Sequence, residues 1–334
     1  MTDRAIIAVV IPAFKVRDKI LSVLGGIGSE CALVYVVDDA CPEASGELVE
    51  SRCQDPRVRV LRHAENQGVG GATMTGYRAA MGEGADVIVK MDGDGQMDPA
   101  FIPRLVRPIL DGEADYTKGN RFFEVDGLEA MPWVRLLGNS VLSFASKMSS
   151  GYWTLFDPNN GFTALHGAVA RELPLEKIAR RWFFESDMLF RLGIQRAVVL
   201  DVPMPAIYGD EKSNLVVSHV AFGFAHRHLV NAGKRIVYAY YLRSFNFASL
   251  QIVLGILSLL FGGILGCIKW AESERTGIPA TAGTVMLAAL PVLIGVQLLL
   301  AFLSYDLQSE PRSVLHRRLG RPARDGEAEG QSSA

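Results

Sequence analysis

The sequence predicts an α/β protein: a mostly parallel, doubly wound sheet, followed by a C-terminal pair of membrane-spanning helices. Three observations predict it. Apolar, β-branched runs alternate with helical stretches over the first two thirds of the chain. Acidic pairs stand at two of the strand ends, and two long uncharged stretches lie near the C-terminus.

Strands are predicted at IIAVVIPAF (6–14), CALVYVVDD (31–39), RVRVLRH (57–63), ADVIVKMD (85–92) and DYTKGNR (115–121). Helices fill the gaps at 17–27, 43–54, 70–82 and 99–111, the last with Asp98 as N-cap and Pro99 at its first position. This alternation implies a parallel sheet covered on both faces. Asp38 with Asp39, and Asp92 with Asp94, then end two strands of one sheet and converge on a cleft, the place where open α/β sheets hold ligands.

Beyond the sheet, 25 residues between Arg243 and Lys269 and 30 between Arg275 and Asp306 carry no formal charge. A span needs about 20 apolar residues. Two spans are therefore expected, about 246–268 and 280–304 within a segment 244–305. The opening MTDRAIIAVVIPAF reads as a strand capped by Pro12 and not as a signal peptide. Lys234, Arg235 and Arg243 before the first span, with Arg312, Arg317, Arg318, Arg321 and Arg324 after the second, outweigh Lys269 and Arg275 in the connecting loop. That bias places residues 1–214 and the tail 306–334 in the cytoplasm. Residues 215–243 mix apolar and basic positions at helical spacing, like an interfacial helix, and 133–148 form a candidate second one. The tail is basic, then polar and small enough to be read as disordered.

Composition excludes several classes. A net charge of −2 supplies no field for nucleic acid. Four cysteines without CxxC spacing favour a reducing compartment. His226 and His228 would sit roughly 200° apart on a helix and cannot share a metal there.

MDGDGQMDP (91–99) carries the chemistry. In extended backbone, Asp92, Asp94 and Gln96 would project on one face. Such oxygens suit Mg²⁺ or Mn²⁺, with substrate phosphates completing the shell, although an acidic solvated turn has the same composition. An EF-hand fails, because Met97 and Pro103 replace its glycine and glutamate. NQGVGGATMTGYRAA (66–80) has neither GxGxxG nor GK[ST]; its glycines suit close approach of a helix start to a neighbour or a nucleotide.

In order, VVIPAF, VVDDACPEASGE, NQGVGGATMTGYRAAM and MDGDGQMDP resemble the family 2 glycosyltransferases of the GT-A fold over roughly residues 7–210. With paired C-terminal spans, the chain most resembles the polyprenol-phosphate branch, which includes dolichol-phosphate mannosyltransferase and undecaprenyl-phosphate sugar transferases. The resemblance implies a metal motif at Asp92, Asp94 and Gln96. It implies nucleotide-sugar contacts at Pro12, Ala13, Asp38, Asp39, Asn66, Gly68 and Asp92. It also implies an acceptor-phosphate arginine at Arg121, with Lys212 in YGDEKSNL as a weaker partner, and a donor-sugar or acceptor loop at Asp157, Asn160 and Gly161 in DPNNGFTAL. Glu185 and Asp187 match the family's ED position, and equally suit a helix N-terminus.

Two departures qualify the match. Phe14, Lys15 and Val16 stand where the family has an acidic residue, which leaves the base unassigned. The processive synthases' QxxRW is absent, since Arg181 and Trp182 precede Glu185. The implied activity is an inverting transfer from a UDP- or GDP-sugar to polyprenyl phosphate, aided by Mg²⁺ or Mn²⁺, with homo-oligomers formed through the spans as a further expectation. A lipid phosphate, with a second pKa of about 6, needs no general base, whereas a hydroxyl of a lipid-linked saccharide, the alternative acceptor, would need Glu185 or Asp187.

Overall fold

The computed structural model describes residues 5–121, 133–158, 160–205 and 217–319. They form two compact units, Met1–Ala232 with Pro311–Ala334, and Gly233–Glu310.

The first unit holds a seven-stranded sheet. Its strands are β1 (Ile7–Ala13), β2 (Cys31–Asp38), β3 (Val58–Arg62), β4 (Val87–Lys90), β5 (Tyr116–Asn120), β6 (Thr163–His166) and β7 (Val199–Pro203). The order is β3-β2-β1-β4-β6-β5-β7. β1, β2, β3 and β4 pair in parallel, as do β5 and β7, while β6 runs antiparallel to both β4 and β5. The sheet is therefore mostly parallel, as expected, with β6 as one inserted antiparallel strand. Neither β6 nor β7 stands out in the sequence, because TALH is short and VLDVP is broken by Asp201 and Pro203.

The helices over the first part of the sheet match the expected stretches closely: α1 (Ile20–Gly25), α2 (Ser45–Arg52), α3 (Val69–Gly82) and α4 (Ile102–Leu110). A 3₁₀ turn, Pro99–Phe101, leads into α4, and Asp98 caps it by accepting the Ala100 N–H at 2.9 Å. Further on come α5 (Trp133–Ser150), α6 (Gly167–Glu172), α7 (Phe184–Gln195) and α8 (Val217–Val237). On one face of the sheet, Tyr77, Met188 and Leu192 pack against Ile88 and Leu165; on the other, Ile20, Val49 and Leu105 pack against Ile11 and Val89. Gly76 lets α3 lie directly on Val10, a spot any Cβ would occupy.

Pro12 sits in a central strand without disrupting it. Val10 and Pro12 present their backbone toward β4, but β4 ends at the Val10 register, so the missing N–H strands no ladder partner.

After the second apolar helix the chain returns to the first unit. The buried Asp115 carboxylate accepts the backbone N–H groups of Leu315 and His316 at 2.7 and 2.9 Å, and that of Val198 at 2.8 Å. A short helix α11 (His316–Leu319) follows.

His228 of α8 is buried among α5 and the start of α7. Its Nδ1 meets Ser149 Oγ at 2.8 Å, its ring lies 4.9 Å from that of Phe183, and its Nε2 has no partner among the described residues. Burial holds His228 down to about 4. The unfolded chain binds a proton near pH 6.5 that the folded chain refuses until about pH 4, so stability is lost as pH falls through that window. Melting temperatures of the detergent-solubilised protein should fall from pH 7 to pH 4, with a shallower slope in His228→Gln. Equal slopes would show that His228 does not contribute.

The second unit contains α9 (Phe247–Thr276) and α10 (Ala282–Gln308), with mean hydropathies of 2.3 and 2.5 in their most apolar windows. Both are long enough to cross a bilayer. Gly255, Gly262 and Gly295 bring their backbones together; a Cβ on Gly262 would stand 2.5 Å from the Ala288 carbonyl oxygen. Arg235 meets Asp306 bidentately at 2.7 and 2.9 Å, and the Tyr240 hydroxyl donates to the same carboxylate at 2.6 Å. One of the arginines counted in the charge bias is thus neutralised by a buried partner.

Candidate active site

The C-terminal ends of β1, β2 and β4 each contribute a loop. At the end of β2, both aspartates are used to tie loops together. Asp38 accepts the N–H groups of Cys41 and Gly46 at 2.8 and 2.7 Å, which seats the start of α2. Asp39 accepts those of Gln67 and Gly68, both at 2.8 Å, and meets His63 Nδ1 at 2.7 Å. Asn66 donates its side-chain amide to the Asp39 carbonyl at 3.2 Å. His63, not singled out in the sequence, is the hinge of this knot, because its Nε2 also reaches Thr75 Oγ1 at 2.9 Å. Ala13 joins in by accepting the Asp39 N–H at 3.1 Å.

The glycine-rich segment serves close approach to a neighbour. Gly68 has φ +86°, and a Cβ there would stand 2.6 Å from the Arg180 carbonyl oxygen; Gly71 donates its N–H to that same oxygen at 3.1 Å. The loop before α7 is thereby fixed against the start of α3.

The loop after β4 differs from the extended strand expected of it. β4 closes at Lys90, and Gly93 and Asp94 form a turn, with Gly95 at φ +77°. Asp94 accepts the Gln96 N–H at 3.0 Å, and the Asp92 N–H points at Met97 Sδ at 3.2 Å. Short local hydrogen bonds have curled the segment, so strand alternation does not set the directions of Asp92, Asp94 and Gln96.

Two buried lysines lie on one row at this end of the sheet, and neither was evident from sequence. Lys90 Nζ lies 2.7 Å from Asp92 Oδ1 and 3.7 Å from Glu185 Oε1. Burial alone would pull Lys90 down, but Asp92 and Glu185 outweigh it and hold the ammonium above its usual value. Lys118 of β5 shares the same register row, since Thr163 of β6 pairs with both lysines. Lys118 donates to the Asn160 carbonyl, and burial takes it down to about 8 against the attraction of Asp157, Glu185 and Asp201.

The loop bearing Asp157, Asn160 and Gly161 closes over these groups. Arg121 meets the buried Asp157 at 2.9 and 3.3 Å, joining the expected acceptor-phosphate residue to the expected sugar loop. The Asn160 side chain accepts the Phe162 N–H at 2.9 Å. Gly161 sits against the Lys90–Asp92 pair, where a Cβ would meet Lys90 Nζ and stand 2.9 Å from Asp92 Oδ2. Gly161→Ala should displace this pair and lower turnover on the order of 10²-fold, the penalty for an ångström of misplacement. Initial rates alongside a melting curve would check it, and a wild-type rate would show that the contact yields without cost.

Glu185 and Asp187 stand on the first turn of α7 but do different things. Asp187 is buried and accepts the Ala179 N–H at 2.9 Å, Asn231 Nδ2 at 3.1 Å and Arg191 Nε at 3.4 Å. Glu185 faces Lys90. Lys212 lies outside the described residues.

The donors fit a hard divalent cation. Asp92, Asp94 and Gln96 offer oxygens, and the ammonium on Asp92 Oδ1 marks that spot as one that holds positive charge. Among the described residues no three His, Cys, Asp or Glu side chains gather as a metal cage, so such an ion would also need phosphate oxygens.

The sequence profile of glycosyl transferase family 2 matches residues 8–173. The UDP-N-acetylglucosamine–dolichyl-phosphate N-acetylglucosaminyltransferase of Methanococcus voltae is 27% identical over 238 residues, covering 67% of this chain and 94% of that relative. The undecaprenyl-phosphate mannosyltransferase of Micrococcus luteus is 31% identical over 176 residues, covering 51% of this chain and 70% of its own length. Among solved structures, glucosyl-3-phosphoglycerate synthase from Mycobacterium tuberculosis, in complex with Mn²⁺, UDP and phosphoglyceric acid, superposes with a TM-score of 0.52 at 16% identity, over 69% of this chain and 78% of that one. At that identity the likeness is one of fold.

Proposed function

Since this chain belongs to glycosyl transferase family 2, we propose that it moves a hexose or related sugar, with inversion, from a UDP- or GDP-sugar to a polyprenyl phosphate at the cytosolic face of a membrane. It is a glycosyltransferase with the GT-A type of mixed α/β sheet. Its relatives are named for transfer to dolichyl and undecaprenyl phosphate.

The observation that carries the reading is the cluster at the end of β4. Asp92, Lys90 and Glu185 come together under the 157–162 loop, whose Asp157 holds Arg121. Mg²⁺ or Mn²⁺, bound by Asp92 and Asp94 with the donor diphosphate, would supply Lewis-acid stabilisation of the charge that grows on the leaving group. Lys90 and Lys118 compensate the carboxylates beneath the sugar, and the loops held by Asp38 and Asp39 wall the nucleotide side. In this reading Arg121 would meet the acceptor phosphate once its bond to Asp157 yields.

The acceptor follows from which acids are free. Asp187 is occupied by three donors and Glu185 is turned to Lys90. An anionic lipid phosphate asks for no proton acceptor, whereas a hydroxyl would. Glu185→Gln and Asp187→Asn should therefore leave transfer within about tenfold of wild type, with Asp187→Asn also lowering stability through its buried hydrogen bonds. Loss of three orders of magnitude in Glu185→Gln would point to a hydroxyl acceptor.

The two apolar helices supply the membrane setting. Residues before and after them belong to one compact unit, which supports an even number of crossings, and the flanking basic residues support a cytosolic catalytic domain. Association of copies through these helices belongs to the same reading. The decisive experiment incubates purified protein with a panel of nucleoside-diphosphate sugars, Mn²⁺ or Mg²⁺, and short-chain polyprenyl phosphate, then weighs the lipid product. A phosphate-linked glycolipid is expected; free sugar or a nucleotidyl lipid would overturn the assignment.

A further inference from the structure

We propose that Lys90 is a positioning residue that acts as the built-in counter-cation of the nucleotide-free site: it holds the Asp92 carboxylate until nucleotide brings a divalent ion, and then retires to Glu185. The inference rests on the reading of Asp92 as a cation ligand. It goes further by assigning that ligand a competitor within the chain.

The geometry points this way on three counts. Lys90 is 1% exposed and cannot turn to solvent, so its ammonium must be compensated inside the protein. It has two acidic partners at unequal distances, Asp92 Oδ1 at 2.7 Å and Glu185 Oε1 at 3.7 Å. If Asp92 leaves, the second partner is already within ion-pair reach, which gives Lys90 two positions and not one. Gly161 also packs against the pair, leaving no volume for a bulkier neighbour to wedge the lysine aside.

The energetic consequence concerns divalent affinity. An ion approaching Asp92 without nucleotide must displace an ammonium in direct contact with the carboxylate. Like charges a few ångströms apart repel, strongly so where water is scarce. Nucleotide-free protein should therefore bind Mn²⁺ weakly. A nucleoside diphosphate adds its own negative oxygens and tips the exchange. This order of events would keep the site from filling with metal before a donor is present.

The test is a Mn²⁺ titration of full-length protein in detergent, following free Mn²⁺ by electron paramagnetic resonance, with and without UDP or GDP. Lys90→Met keeps an unbranched chain one atom shorter and removes its charge. Nucleotide-free Lys90→Met should bind Mn²⁺ at least about tenfold more tightly than wild type, the scale expected for removing a contacting like charge. Lys90→Arg should stay close to wild type. Glu185→Gln takes away the alternative partner, so Lys90 should cling to Asp92 and Mn²⁺ affinity should fall by about threefold.

Unchanged or weaker Mn²⁺ binding in Lys90→Met overturns the proposal, as does wild-type protein that binds Mn²⁺ equally well with and without nucleotide. Should Lys90→Met not fold, Glu185→Gln decides: weaker binding supports the exchange, and unchanged or tighter binding overturns it. Wild type that binds Mn²⁺ with nucleotide while Lys90→Met shows no gain sinks this inference alone. Wild type that binds no Mn²⁺ even with UDP or GDP sinks the metal-assisted reading, and this inference with it.

Discussion

Asp92→Asn should reduce transfer by about 10³-fold with Mn²⁺ saturating, the scale of losing a principal electrostatic stabiliser of a leaving group. The substitution keeps side-chain size and one oxygen, so the fit against Gly161 is preserved. What it removes is charge, and it removes it twice. A divalent ion held at Asp92 would lose its anionic ligand, and Lys90 loses the partner at 2.7 Å, retaining only Glu185 at 3.7 Å. The second loss separates this variant from Asp94→Asn, which leaves the Lys90–Asp92 pair in place. Initial rates in lipid nanodiscs, with a melting curve to show that Asp92→Asn is folded, make the measurement. A wild-type rate in folded, metal-replete protein would remove Asp92 from the reaction.

The elements around this aspartate were legible because each announces itself locally. β1, β2 and β4 are β-branched runs, an Asp-Pro cap opens the 3₁₀ turn that leads into α4, and the observed boundaries fall within a few residues of those expected. β6 and β7 were not, because four and five residues with polar breaks carry no period, and the antiparallel direction of β6 depends on strands far away in the chain. The site follows the same rule. That aspartates gather at strand ends can be read from sequence, but their partners cannot. Lys90 looks like an ordinary strand-end polar residue until Glu185 arrives beside it, and Lys118 sits where only the pairing through Thr163 reveals a shared row. Asp187 resembles a catalytic acid two residues from Glu185, yet the start of α7 rotates it onto Ala179 and Asn231. Helical geometry sends neighbours two apart to different faces, so a motif of adjacent acids does not say which one meets substrate.

Asp115→Ala should lower the stability of the catalytic unit by about 3–5 kcal/mol. Its carboxylate is fully buried and accepts four donors, the backbone N–H groups of Val198, Leu315 and His316 together with His316 Nδ1 at 2.7 Å. Alanine strands three backbone donors, each costing about 1–3 kcal/mol if it stays buried and less if its segment swings out to water. The segment after the second apolar helix is the part able to swing. It would give up the face-to-face stack of His316 on His166, whose rings lie 4.2 Å apart at 7°. The melting temperature should fall by about 10 °C, while Asp115→Asn, which keeps one acceptor oxygen, should lose less than half as much. Because Asp115 precedes β5 and Arg121 follows it, the damage lies at the opposite end of the strand from the candidate site. Below the melting temperature, KM for the nucleotide-sugar should therefore stay at its wild-type value. A melting temperature unchanged to within a degree would mean that residues 311–319 are not docked in solution, and the argument for an even number of membrane crossings would lose its structural support.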